Sequence, residues 1–353
     1  MKPRVDNPNN RLVLSPFMRF AFQEGYTEFT NVISRLNGFS NRWPQYKRIL
    51  DLFERNNRDY LLNEIWRVLP KDQFQCRNKF EISHAVHMIE VFYFIGALRN
   101  EVISDLSLSD SVLKLSPDQI DLLIDFLNSY EGYSLKELQT AIYKTYDEFI
   151  SVYSSLIPAI FLQYCDQDAI DFDTEGTTTS SFDTIKQFSL DAYETLGNLL
   201  IVPVALNNVK YRNDYKKCAV VDNQSKALDD YISFQSKARR YHYCDDSELY
   251  TKELRVVLNS KLRNAIGHND IKYDSVSQEI TYTPDPRDRT KQEKTYLLEF
   301  ENEAIHLFQA ITVISEYIYR LREIEMVKMD TDLFRQRHSK KLGGMNLAHV
   351  EAV

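Results

Sequence analysis

The chain has 353 residues, of which 43% are hydrophobic and 27% charged, the balance of a folded globular protein rather than a disordered or fibrous one. A formal charge of -8 excludes a polycation that binds nucleic acid by bulk electrostatics, so any such contact has to be local. With only 9 Gly and 10 Pro, the chain lacks the turn residues of a strand-dense architecture, and an all-α fold is expected.

The opening MKPRVDNPNN is polar and has no apolar signal core, so a cytoplasmic location is expected. Helices are expected over Ser15 to Leu36, Gln45 to Val68 and Ile82 to Val102. Ser116-Pro117-Asp118 supplies a cap, a proline for the first helical position and an acid for the first turn, and so opens the next helix. Ser134 with Glu137 three residues later is a capping box, and the apolar positions Ile142, Tyr146, Phe149 and Tyr153 continue at helical spacing toward Cys165. The apolar stretches Val91 to Leu98 and Leu196 to Leu206 are shorter than the roughly 18 residues of a membrane span, so no membrane contact is expected. Cys76, Cys165, Cys218 and Cys244 lie far apart with no CxxC pair, which reads as reduced thiols with no metal.

Residues 166–181 turn acidic and then rich in Thr and Ser, which marks a linker. It divides a helical domain, 1–165, for a sensing, regulatory or dimerisation role, from a second domain over 182–328, with a polar tail at 329–353. The second domain shows four helical segments: Phe182 to Asn207, Gln224 to Tyr243, Ser247 to Ile266 and Glu301 to Lys328. Four comparable helices make a bundle. Between the third and fourth, Ile280-Thr281-Tyr282 and Tyr296 to Phe300 read as the two strands of a small β-hairpin. Neither GxGxxG nor GxxxxGK[ST] occurs, so there is no phosphate loop, and no cofactor is expected.

One constellation carries chemistry. The third bundle segment ends LRNAIGHND, with Leu254, Leu258, Leu262 and Ile266 on one face and Arg263 just past the centre of that stripe. Gly267 stands where a left-handed cap would stop the helix, so that His268 can fold back toward Arg263. An imidazole that moves a proton and a guanidinium that holds a phosphate suit cleavage of RNA by its own 2′-hydroxyl, without a metal. Asn264 and Asn269 are polar groups able to orient either partner. The plainer alternative is a cation and a histidine answering the helix dipole.

Arg263-Asn264-Ala265-Ile266-Gly267-His268 resembles the RNxxxH form of the Arg, four to six residues, His signature of the HEPN superfamily, the higher eukaryotes and prokaryotes nucleotide-binding domains. The resemblance covers about Phe182 to Lys328 and not the first 165 residues. It implies a HEPN-like four-helix bundle and a metal-independent endoribonuclease, commonly a homodimer with two motifs facing one cleft. It also implies an anti-phage, abortive-infection or toxin-antitoxin role, with an antitoxin or a phage-derived trigger as a further partner. By that likeness Arg263 and His268 are the catalytic pair and Asn264 the polar residue after the Arg. The superfamily also contains non-catalytic domains that bind a nucleotide, RNA or protein, which is the rival reading. A nucleotidyl- or phosphate-transferring enzyme is disfavoured, because neither its phosphate loop nor a metal-binding carboxylate pair is apparent.

A second match, Arg77 and His84, has a charged spacer and opens a helix rather than closing one, so it reads as coincidence. His84 and His87, one turn apart among Met88, Ile89 and Val91, read as packing histidines. Lys210, Arg212, Lys216 and Lys217, then Lys237, Arg239 and Arg240, form two basic clusters interleaved with tyrosines, a candidate surface for RNA. From Leu206 to Lys272 there are 13 Lys and Arg against 9 Asp and Glu, a local excess in an acidic chain.

Overall fold

The computed structural model describes residues 25–55, 57–105, 110–165, 170–177, 180–221, 224–233, 243 and 253–329. The chain is mostly α-helical, with two small antiparallel sheets among the described residues. The helices before residue 166 are α1 (Gly25–Asn41), α2 (Trp43–Glu54), α3 (Arg58–Val68), α4 (Lys79–Glu90), α5 (Ala97–Asn100), α6 (Asp110–Leu113), α7 (Pro117–Ser129) and α8 (Leu135–Leu162). After it come α9 (Phe182–Leu199), α10 (Ile201–Arg212), β1 (Lys217–Val221), β2 (Gln224–Ala227), α11 (Leu228–Ser233), α12 (Ser260–Gly267), β3 (Ile271–Tyr273), β4 (Glu279–Tyr282), β5 (Glu293–Tyr296) and α13 (Leu297–Met329).

The two cap signals act as their chemistry dictates. Ser116 accepts from the Gln119 amide at 3.3 Å, the Gln119 side chain accepts from the Ser116 amide at 3.0 Å, and Pro117 takes the first helical position of α7. Glu137 reaches back to the Ser134 amide at 2.9 Å and starts α8. The helix expected over Ile82 to Val102 is instead interrupted, and Gly96 is the reason. Its φ of +61° is open to glycine and costly for other residues, and its amide donates to the Tyr164 hydroxyl at 2.9 Å. The segment Gln45 to Val68 is likewise two helices, α2 and α3, because Asn57 leaves the helical region to precede α3.

Departures are larger after residue 199. The Phe182 to Asn207 segment divides at Leu200, since Pro203 has no amide proton and its ring crowds the carbonyl four residues back. Where a helix was expected from Gln224 to Tyr243, residues 224–233 form β2, paired with the preceding β1, and the six-residue α11, while 234–242 lie outside the described residues. Of the Ser247 to Ile266 segment, 247–252 lie outside the described residues, and the described part holds only one α-helix, the short α12, because Arg255 has φ +51° and Asn259 is the non-helical cap that accepts from the Leu262 amide at 3.2 Å. The expected hairpin is a three-stranded sheet in the order β3-β4-β5, in which Ile280 pairs with Tyr273 on one side and Thr295 on the other. Tyr296 ends β5, and the following residues begin α13 instead of extending a strand to Phe300.

The core is built on α8, α9 and α13, which pack together along their lengths. The ring pairs Tyr93 with Tyr146 and Phe149 with Phe308 stack at 3.9 and 4.0 Å. Buried side chains from Phe29 to Leu321 form one continuous cluster. Among the described residues, no helix is long and apolar enough to cross a membrane.

Helix α13 is buried on nearly every side and still carries charge. Glu316, about 1% exposed, lies between His87 Nε2 at 2.6 Å and Arg320 Nε at 2.6 Å, and Arg320 Nη1 reaches Glu323 at 3.1 Å. The Tyr319 ring covers His87 at 3.6 Å. Burial alone would raise the Glu316 carboxyl, but the His87 and Arg320 charges outweigh it and hold the group down at about 2. Glu301 is the opposite case. It is fully buried, and neither of its oxygens has a hydrogen-bond partner among the described residues. The Ser180 hydroxyl beside it gives its proton to the Ser155 carbonyl at 2.6 Å. Burial therefore pushes the Glu301 carboxyl up to about 8, with Ser180 opposing only weakly.

Two outcomes are expected. Glu316→Gln leaves Arg320 and His87 short of a buried counter-charge and should cost about 3 kcal/mol in denaturant unfolding. Because Glu301 binds its proton more tightly folded than unfolded, stability should fall as pH rises from about 4.5 through about 8. Glu301→Gln should flatten that slope in melting curves taken across this range, while an unchanged slope would assign the pH dependence to other groups.

Candidate functional site

Helix α12 is eight residues long and is held from one face. Leu262, Ala265 and Ile266 are buried, and Asn259 caps the start. Arg263, next to Leu262, therefore lies at the edge of the buried face, with its side chain one-third exposed. The helix ends in a paired closure: the Asn269 amide donates to Ile266 O at 3.1 Å and the Asp270 amide to Ala265 O at 2.8 Å. The left-handed residue of this closure is Asn269, with φ +59°, and not Gly267, which was expected to take that role and remains inside the helix. Asn tolerates the conformation because its short polar side chain bonds locally. His268 is the cap residue itself, and its side chain is exposed.

Arg263 is held by three groups. Its Nη2 meets Glu194 at 2.5 Å, its Nη1 donates to Asn264 Oδ1 at 3.1 Å, and its guanidinium carbon lies 6.0 Å from the centre of the Tyr193 ring. The Nε is buried and has no hydrogen-bond partner among the described residues. Arg263 forms one wall of a shallow pocket at the junction of α9, α12 and α13, which Tyr193, Asn259 and Glu303 also line and which has exposed Val257 at its edge. His268 is not part of this wall. It stands five residues farther along the chain, about 7 Å of helical rise from Arg263. The structure thus joins Arg263 to Asn264 directly and sets His268 beyond them on the open end of the same helix.

Glu303 is half-buried and accepts from the Asn259 side-chain amide at 3.4 Å. Burial raises its carboxyl, Asn259 lowers it and the Glu299 charge raises it again, to a net value of about 7. Sequence patterning missed Glu194, Tyr193 and Glu303, because each comes from an element far from the motif. Asn259, just before a short apolar-periodic stretch, carries an ordinary cap signal that could have been read.

The basic residues divide. Lys210, Lys216 and Lys217 are exposed; the Lys210 ammonium lies 5.1 Å from the Tyr211 ring and that of Lys216 lies 5.5 Å from the Tyr215 ring. Arg212 instead holds the hairpin to α10, donating to Lys217 O at 2.6 Å and Asn208 Oδ1 at 2.8 Å. Lys237, Arg239 and Arg240 lie outside the described residues. In the second motif match, Arg77 is paired with Glu81 at 2.7 Å, and His84 Nδ1 meets the Tyr319 hydroxyl at 3.2 Å. Among the described residues, no group of three or more His, Cys, Asp and Glu is placed to hold a metal ion.

No family model, no curated protein and no solved structure matches the chain. The likeness to HEPN domains therefore rests on the stretch from Arg263 to His268.

The closure of α12 has a direct test. Asn269→Ala should cost about 1 kcal/mol or more in denaturant unfolding, because alanine resists the left-handed region, whereas Asn269→Gly should be at least as stable as the parent. Equal losses in both variants would mean that the Asn269 side chain, and not its backbone conformation, carries the stability.

Proposed function

We propose that the chain is a metal-independent endoribonuclease that cuts RNA by attack of a 2′-hydroxyl on the adjacent phosphate, leaving a 2′,3′-cyclic phosphate and a 5′-hydroxyl. The observation that carries this reading is the RNxxxH stretch on α12, whose arginine is oriented by Glu194 and Asn264 and whose histidine is exposed on the helix cap. In this reading Arg263 stabilises charge on the phosphate, His268 transfers a proton and Asn264 keeps the guanidinium in its plane. Lys210, Lys216 and Lys217 are exposed, the first two beside tyrosine rings, and offer a surface for the rest of the strand. The biological role is that of an anti-phage or toxin effector, acting as a homodimer and restrained by an antitoxin or released by a phage-derived trigger.

One observation favours the second reading, a HEPN-like module that binds RNA, a nucleotide or a protein without cutting. His268 is not among the residues that line the pocket beside Arg263, so the two motif residues do not share one wall.

Purified protein incubated with total cellular RNA in EDTA separates the two. The nuclease reading expects fragments with cyclic-phosphate ends, reduced about 100-fold or more in His268→Ala and Arg263→Ala. Undiminished cutting by His268→Ala would overturn the assignment of the site. Intact RNA with the parent protein, together with RNA affinity that survives His268→Ala, would establish the binder.

A further inference from the structure

Helices α4 and α13 run antiparallel, and three contacts fix their register. His84 Nδ1 meets the Tyr319 hydroxyl at 3.2 Å, His87 Nε2 meets Glu316 at 2.6 Å, and the Ser315 hydroxyl donates to Glu90 at 3.0 Å. Ser83 precedes Glu90 by seven residues on α4, and Arg322 follows Ser315 by seven on α13. Seven residues are about two helical turns and return to the same face. Ser83 therefore falls opposite Arg322 as Glu90 falls opposite Ser315, and all four line one cleft along the seam. Helix α8 runs parallel to α4 beside them, since Tyr143 donates to Glu90 at 2.8 Å and Tyr146 stacks on Tyr93. Gln139, one turn before Tyr143, enters the same cleft between the levels of Glu90 and Ser83. Phe53 of α2 forms a further wall, its ring centre 5.0 Å from the guanidinium carbon of Arg322.

The donors of this cleft are not spent inside the fold. Among the described residues, Arg322 makes no ion pair and no hydrogen bond beyond its contact with the Phe53 ring. Ser83 is only 5% exposed, yet its hydroxyl has no partner among the described residues, and neither has the Gln139 amide. Buried hydroxyls are ordinarily paired, so an unpaired one that lines a cleft points to a partner from outside. The acids nearby are engaged instead. Glu90 accepts from two hydroxyls, and burial raises its carboxyl against the opposing pull of His87, those hydroxyls and Arg322. Glu316 lies between His87 and Arg320. A guanidinium, a hydroxyl and an amide, each from a different helix, are what remains for a ligand. A guanidinium fork takes two oxygens of a tetrahedral phosphate, and the two neutral donors can take the others. A carboxylate, with two oxygens, would leave a donor unmet.

We propose that the cleft between α4, α8 and α13 is a binding site for a phosphate group, free or at the end of a small molecule, with Arg322 as its charged anchor and Ser83 and Gln139 as its neutral donors. Arg322 stands 19 residues beyond Glu303 on α13, roughly 28 Å along the helix. The site is thus separate from the pocket beside Arg263, and it stands whether or not the chain cuts RNA.

Calorimetric titration of the full-length protein with inorganic phosphate, adenosine 5′-monophosphate and acetate tests the proposal. Expected are saturable binding of at least one phosphate ligand, no saturation by acetate over the same range, and binding weakened about tenfold or more in Arg322→Gln. Ser83→Ala and Gln139→Ala should weaken it by a smaller factor, and Arg263→Ala should bind as the parent does. Tighter binding of the nucleotide identifies an esterified phosphate, and tighter binding of inorganic phosphate identifies the free ion; either supports the site. No saturation of the parent by either ligand up to roughly 10 mM overturns it. So does acetate that binds as well as phosphate, or binding that survives Arg322→Gln and disappears in Arg263→Ala. Melting curves report whether Arg322→Gln is folded; if it is not, Ser83→Ala and Gln139→Ala decide, and undiminished binding in both overturns the proposal.

Discussion

The constraint on which the rest of the structure depends is the near-complete burial of α13. A helix of 33 residues that packs on α8, α9, α4 and α7 has no polar face to spare, yet it contains Glu301, Glu316, Arg320 and Glu323 in buried positions. Each of these had to be neutralised, paired or left protonated. Glu316, Arg320 and Glu323 are paired, and the cost of bringing such charges out of water roughly cancels their attraction. Their value lies in register. A slide of α13 by one turn against α4 would separate Glu316 from His87 and also remove Tyr319 from the imidazole face. The apolar contacts alone tolerate such a slide far better than these charges do.

That fixed helix in turn sets the site. Near its start, Glu303 faces the cap of α12; near its middle, the Tyr317 hydroxyl donates to Glu253, which also receives the Ser111 hydroxyl from α6. Two residues later, Arg255 pairs with Glu101 at 2.5 Å. The stretch leading into the motif helix is therefore fastened to α13 and to the segments before residue 166. An eight-residue helix is too short to persist by itself in water, so the position of Arg263 and His268 is a tertiary product, maintained by contacts with distant parts of the chain.

This explains what could be read from the sequence and what could not. Signals carried by neighbouring residues were legible: Ser116 to Asp118, Ser134 to Glu137 and the apolar face through Leu262 and Ile266 all lie where their spacing placed them. The same apolar spacing misled farther upstream. Leu254 is buried, as a helix would bury it, but Arg255 is left-handed, and the four-residue repeat runs through a segment that is not α-helical. At the end of α12, both Gly267 and Asn269 are residues able to enter the left-handed region, and only the closing hydrogen bonds to Ala265 and Ile266 select Asn269. Within the site, the arginine and histidine stood out because they share one helix. Glu194 and Glu303 arrive from α9 and α13, and no local pattern links them to the motif.

The Glu194 contact bears on how such a site can work. A carboxylate against the only arginine of the motif competes with any phosphate for it, but both partners of this pair are substantially exposed, at 33% and 40%. Exposed pairs contribute little, about 0–1 kcal/mol, because water screens them and long side chains lose freedom to form them. A phosphate that approaches from the open side has the second protons of Nη1 and Nη2 still to engage. A bidentate contact to phosphate is worth more than one exposed carboxylate contact. In the proposed reading, Glu194 therefore costs a phosphodiester little while it keeps the guanidinium against α9 in the ligand's absence.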